Sequence, residues 1–133
     1  MDWAIAALRR KLTHVHVSGY IETEPEGVPD AQPRYLNAAA IGQTDLSPQA
    51  LLQWLLELEG ERGRRRDTER AARTLDLDLI LYGDVVIEGP ALVVPHPRFR
   101  SRRFVLEPLA QIDPGLRDPV SGRTIGELLA DLP

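Results

Sequence analysis

Residues 73–83 read RTLDLDLILYG, the most strictly alternating run in the chain. Period-2 alternation predicts a β-strand that buries Leu75, Leu77, Leu79 and Leu81 on one face. Asp76 and Asp78 then leave the other face together, with Cα atoms ~6.5 to 7 Å apart. Two carboxylates on a half-buried face repel each other and lose hydration, at a cost on the order of several kcal/mol unless cations compensate. Two readings follow. The pair is the solvent face of an edge strand, matched by neighbouring arginines, or it holds a divalent cation. All-oxygen ligation by few carboxylates suits Mg²⁺, which keeps waters and takes its remaining ligands from phosphates.

The flanking sequence weighs on that choice. Arg62, Arg64, Arg65, Arg66, Arg70 and Arg73 fall within one stretch before the strand, and Arg98, Arg100, Arg102 and Arg103 within another after it. The first group is more cationic than two aspartates can neutralise, and a polyanion relieves its self-repulsion. Arginine is also the cation suited to planar, bidentate gripping of phosphate oxygens. A solvated loop or an RNA-contacting patch is the alternative for these arginines. Against RNA, only Phe99 and Phe104 stand in the second stretch as stacking partners. Metal carboxylates beside phosphate-gripping arginines are the parts that phosphoryl transfer requires. His96, between two prolines, is either structural or a phosphate contact. His14 and His16 share a strand face without a third ligand at matching spacing, which argues against zinc.

The rest of the chain bounds the class. Its 133 residues, 43% hydrophobic, suffice for one domain with one core, 1–133. The net charge of -4 disfavours a general nucleic-acid binder. There is no cysteine, so disulfides and thiolate metal sites are excluded. No run is long enough to span a membrane and the first residues lack a signal-peptide pattern, so a soluble, cytoplasmic protein is expected. A short amphipathic helix is predicted over 2–12, with Trp3, Ala6, Ala7 and Leu8 near one face. A strand follows over 13–23, then a loop whose three prolines and one glycine (24–34) exclude regular structure, then extended residues 35–44. Ser47 as N-cap, Pro48 at the first helical position and Gly63 as stop bound a long helix. After the quoted strand come a hairpin return over 83–89, a Pro-His-Pro loop, a helix from about Ser101 limited or kinked by Pro108, and a short helix near the end. This order predicts an α+β sandwich with one mixed or antiparallel sheet.

Taken together, RTLDLDLILYG, VPHPRFRSRRFVLEPLAQIDP, YLNAAA, ETEPEG and LLELEGERGRRR resemble the 6-hydroxymethyl-7,8-dihydropterin pyrophosphokinase family, from about residue 2 to the end. The resemblance implies a ferredoxin-like α/β sandwich with one mixed, mostly antiparallel sheet flanked by helices. It implies transfer of the β,γ-diphosphate of ATP to the pterin hydroxymethyl group in folate biosynthesis, with AMP released. Asp76 and Asp78 would hold two Mg²⁺ ions bridging the ATP phosphates. Arg64 and Arg73 correspond to loop arginines that close over the phosphates, and Arg66, Arg70, His96 and Arg102 to further ATP contacts. Tyr35 and Asn37 match pterin-side positions, Phe104 would stack on the pterin, and Glu59 would support it. Thr23, Glu24 and Glu26 fall where backbone groups read the pterin.

The chain departs from the family pattern in two places. It starts at the first helix, without the strand and Gly-Ser-Asn turn that precede it in the family, and its arginine-rich loop is about one residue short. These departures leave open an inactive relative that binds nucleotide or a partner protein. An arginine-rich RNA-binding module ranks behind both. The expected partners are ATP and a reduced pterin, without nucleic acid or membrane, and the expected state is a monomer, or a dimer if the sheet edge is open.

Overall fold

A computed structural model describes residues 2–23, 35–65 and 76–133. The chain begins with helix α1 (Asp2–Lys11), whose Arg9, Arg10 and Lys11 occupy the last turn, where the helix dipole favours cations. Its buried residues are Ala4 and Ala7. Ala6, expected on that face, is exposed. Two small side chains one turn apart let the helix sit close to what it covers.

The strand expected over 13–23 is two strands. β1 (Thr13–Val17) and β2 (Ile21–Thr23) are separated at Ser18–Gly19–Tyr20. Ser18 is nearly buried, and its hydroxyl accepts from the Ala39 amide at 2.8 Å and donates to the Gly19 carbonyl at 2.9 Å. A buried hydroxyl that takes over backbone partners in this way ends a ladder. The extended residues 35–44 divide likewise into β3 (Tyr35–Asn37) and β4 (Ala40–Gln43). β1 pairs antiparallel with β4, and β2 with β3 in the register Ile21↔Asn37, Glu22↔Leu36, Thr23↔Tyr35. A register shift lies between Thr13 and His16, where His14 has φ 52°, the left-handed backbone that a bulge uses.

Helix α2 (Pro48–Arg65) starts as the sequence predicts: the Ser47 hydroxyl accepts from the Ala50 amide at 3.1 Å, the N-cap bond. It buries Leu51, Leu55 and Leu58, spaced as one helical face requires. Gly63 does not stop it. The helix runs on to Arg65, because a single glycine costs a helix only ~1 kcal/mol. The Lys11 ammonium lies 5.8 Å from the Trp54 ring centroid, linking the end of α1 to α2.

The expected strand over 73–83 differs from its prediction. Residues 73–75 lie outside the described residues, and 76–82 carry no ladder pairing among those described. Ile80 and Leu81, neighbours in sequence, both pack against the core, so the alternation does not continue to its end. The hairpin return is also displaced. β5 (Ile87–Glu88) pairs antiparallel with β6 (Val93–Val94), not with the aspartate segment. The described residues thus carry three two-stranded antiparallel sheets where one larger sheet is expected, in an α+β arrangement.

A 3₁₀ turn (Phe99–Ser101) leads into α3 (Arg103–Ile112). Pro108 lies inside α3 and is buried; the helix continues through it to Ile112. Phe99 is fully buried, a core residue and not a stacking partner. α4 (Ile125–Ala130) starts at a capping box in which the Thr124 hydroxyl accepts from the Glu127 amide and the Glu127 carboxylate accepts from the Thr124 amide. Phe99, Leu106, Leu109, Ile125 and Leu128 form one buried cluster, with Ala39, Ile41, Ile80 and Leu81 packed against it. α3 lies across β2, β3 and β4 and packs on α4. Among the described residues no helix is long and apolar enough to cross a membrane.

This core makes a stability prediction. Leu106, with no exposed surface, should cost about 2–5 kcal/mol when replaced by alanine, through lost transfer energy and a residual cavity. Leu56, on the half-exposed face of α2, should cost within about 0.5 kcal/mol. Urea unfolding of the two variants checks this, and equal losses would show that the core lies elsewhere.

Candidate active site

Two backbone bonds hold the aspartate segment. The Leu77 amide donates to the Glu59 carboxylate on α2, and the Ile80 carbonyl accepts from the His96 amide at 2.9 Å. Asp76 and Asp78 are exposed on either side of half-buried Leu77. Both act on the same neighbour. Glu59 is pushed above the usual carboxylate range by its burial and by the charges of Asp76 and Asp78, while the Leu77 amide opposes that rise. Three carboxyl groups therefore share one electrostatic neighbourhood, and the most buried of them is the one that resists ionisation.

His96 faces this group. Its ring is held below the ordinary histidine value chiefly by burial, with Arg102 and Arg98 pushing the same way and Asp78 opposing them. Nδ1 accepts from the Arg98 amide at 3.2 Å, so the proton of the neutral ring sits on Nε2. That nitrogen is left as the donor. The Arg102 guanidinium carbon is 5.3 Å from the Phe104 ring centroid, within cation–π range. Phe104 is the second residue of α3, which lies against β3, the strand that carries half-buried Asn37. Glu59, Asp76, Asp78, His96 and Arg102 are thus linked by contact or charge, and Phe104 adjoins them through Arg102.

The remaining expected site residues stand differently. Thr23 and Tyr35 are opposite each other in the β2–β3 ladder, and Arg64 lies in the last turn of α2. Glu24, Glu26, Arg66, Arg70 and Arg73 lie outside the described residues. Arg98 is a site neighbour that the sequence reading does not single out. Its signal is the Pro-His-Pro-Arg spacing, which places its amide two residues past the histidine ring that the amide binds.

The donor set fits a hard divalent cation. Asp76 and Asp78 offer exposed carboxylate oxygens and no soft ligand. Among the described residues no three histidine, aspartate or glutamate side chains gather closely enough to hold a metal by themselves. A cation here would take its other positions from water and substrate oxygens, the habit of Mg²⁺.

Comparison with known proteins identifies the family. The profile of the 7,8-dihydro-6-hydroxymethylpterin-pyrophosphokinase (HPPK) family matches residues 1–114. A 2-amino-4-hydroxy-6-hydroxymethyldihydropteridine pyrophosphokinase from Pseudomonas aeruginosa is 45% identical over 119 residues, covering 90% of this chain and 72% of its own length. Proteins of the same name from Synechocystis sp. and Bacillus subtilis are 49% and 42% identical, covering 74% and 82% of this chain. The chain spans 50% of the Synechocystis protein and 66% of the Bacillus one. The segment carrying Asp76, Asp78, His96, Arg102 and Phe104 lies wholly within the matched residues, and the chain belongs to the 7,8-dihydro-6-hydroxymethylpterin-pyrophosphokinase family.

Proposed function

We propose that this chain transfers the β,γ-diphosphate of ATP to the hydroxymethyl group of 6-hydroxymethyl-7,8-dihydropterin. The observation that carries the reading is that the charges of Asp78, Arg98 and Arg102 all act on His96 while Asp76 and Asp78 together act on Glu59, an anionic pair beside a cationic rim. Such a site suits a triphosphate held with divalent cations. The single ferredoxin-like sheet of the family belongs to the same reading.

The pterin hydroxyl oxygen bonds to the β-phosphorus in line while the bond from that phosphorus to the oxygen bridging it to the α-phosphorus breaks. AMP leaves with that oxygen, and the hydroxyl proton passes to solvent. Bound at Asp76 and Asp78, two Mg²⁺ ions would neutralise phosphate charge and polarise the phosphoryl oxygens. His96 Nε2–H donates to a phosphate oxygen, its tautomer set by the Arg98 amide. Arg102, Arg66 and Arg70 grip the nucleotide phosphates, and Arg64 and Arg73 close over the transferred group. Phe104 stacks on the pterin, Asn37 presents both a donor and an acceptor to the heterocycle edge, and Tyr35 completes that side. Thr23, Glu24 and Glu26 bound it by their backbone. Glu59 positions the aspartates through the Leu77 amide and supports the pterin side.

Two experiments test this. The full chain with ATP, Mg²⁺ and the reduced pterin alcohol should release AMP in step with pterin diphosphate, whereas ADP as product would mark an ordinary phosphoryl kinase. In the same assay Arg73→Ala should lower kcat on the order of 10³- to 10⁵-fold with ATP affinity little changed; equal losses in both would remove it from the transfer step.

The electrostatics of the rim are checked separately by following the His96 ring protons in an NMR titration. The ring should titrate below the ordinary ~6.5. Asp78→Asn should lower that midpoint further, because the opposing attraction is gone, and Arg102→Gln should raise it. A midpoint that ignores both substitutions would separate the histidine from the aspartate site.

A further inference from the structure

The four arginines of the second basic stretch do not share one role. Arg98 and Arg102 act on His96. Arg103 donates to the Pro133 carbonyl at 3.3 Å. Arg100, between them in the 3₁₀ turn, faces away from the site: its Nε and Nη2 donate to the two carboxylate oxygens of Asp118 at 2.6 and 3.0 Å, a bidentate fork. Asp118 has no exposed surface. Its carboxylate also accepts from the Val120 amide at 3.1 Å, the Ser121 amide at 3.3 Å and the Ser121 hydroxyl at 2.6 Å. Arg100 holds this carboxyl well below the usual carboxylate range. The turn is anchored on its other side by Phe99, fully buried in the core, with the Arg100 guanidinium carbon 4.8 Å from its ring centroid.

We infer that Asp118 is a positioning residue that, through Arg100, sets the turn presenting Arg98 and Arg102 to the triphosphate. Three features carry it. The chain spends a fully buried, five-bonded carboxylate on one arginine that lies two residues from each of the site arginines. Burial makes the pair directional: a charge removed from water holds its partner in one geometry, since any departure leaves it unsatisfied. The anchor also comes from beyond residue 114, where the family match ends, so it is supplied by a part of the chain that touches no proposed ligand. Phe104 lies within α3, held to the core by Leu106 and Leu109, whereas Arg102 joins the turn to that helix and stacks on the Phe104 ring. Loosening the Asp118 anchor therefore moves the nucleotide rim first and the pterin side less.

The inference rests on the diphosphotransfer reading, and the measurements separate the two. Asp118→Asn and Arg100→Lys keep size but lose the charged fork. In the full chain each should raise KM for ATP about tenfold, with KM for the pterin within twofold, since small misplacements remote from the chemistry cost up to ~10²-fold. The double variant should be no worse than the worse single one. Direct titration with the Mg²⁺ complex of a non-hydrolysable ATP analogue should show the same weakening, whether or not AMP is ever formed. A wild-type chain that binds the analogue but makes no AMP would refute the reaction and leave the anchor under test. Should Asp118→Asn not fold, Arg100→Lys, whose side chain is 29% exposed, decides. Unchanged ATP KM and analogue affinity in a folded Arg100→Lys variant, or equal losses for ATP and pterin, would overturn the inference.

Discussion

The candidate site depends on a short span of backbone held at two points. The Leu77 amide is taken by a glutamate on α2 and the Ile80 carbonyl by the amide of His96, so the segment bearing Asp76 and Asp78 is tied at once to the helix before it and the loop after it. Both ties are polar, and the apolar side chains beside them set their position. Ile80 and Leu81 rest on the cluster of Phe99, Leu106, Leu109, Ile125 and Leu128. The carboxylates stay in water because their neighbours do not. A charged pair on a mobile strand would simply be solvated; here its direction is imposed by packing.

That placement creates the electrostatic contrast of the site. Carboxyl groups stand on one side, where burial and the charges of Asp76 and Asp78 push Glu59 upward. Arg98 and Arg102 stand on the other, with a histidine between whose charged form is disfavoured by burial and by both arginines. A neutral imidazole beside guanidinium groups can donate a hydrogen bond to phosphate without adding to their mutual repulsion. At three residues per revolution, residues two apart in the turn point in different directions, so neighbouring arginines take separate partners. Arg100 is paired with Asp118, and Arg98 and Arg102 act on His96.

The capping box at Thr124 and Glu127 shows a signal that local sequence does carry. The spacing Thr-x-x-Glu before an apolar run is an N-terminus signature, and the helix that follows begins there. Ser47 and Pro48 are legible in the same way. Elements fixed by bonds within one turn can be found by reading along the chain. The division of 13–23 at Ser18 is different, because it depends on a hydroxyl meeting the amide of Ala39, twenty-one residues away.

The sequence by itself determined the α+β class, the helices that begin at capping residues, the alternation that sets Asp76 and Asp78 apart from the leucines, and the family. These rest on periodicity, on local hydrogen bonds and on motifs that are contiguous along the chain. Tertiary packing settled which charges act on His96, that Phe99 is core, that β5 pairs with β6 and not with the aspartate segment, and that Glu59 binds the Leu77 amide. Apart from the β5–β6 pair, these are meetings of residues distant in sequence, chosen by which arrangement buries apolar surface while leaving buried polar groups partnered, and no local pattern encodes that choice.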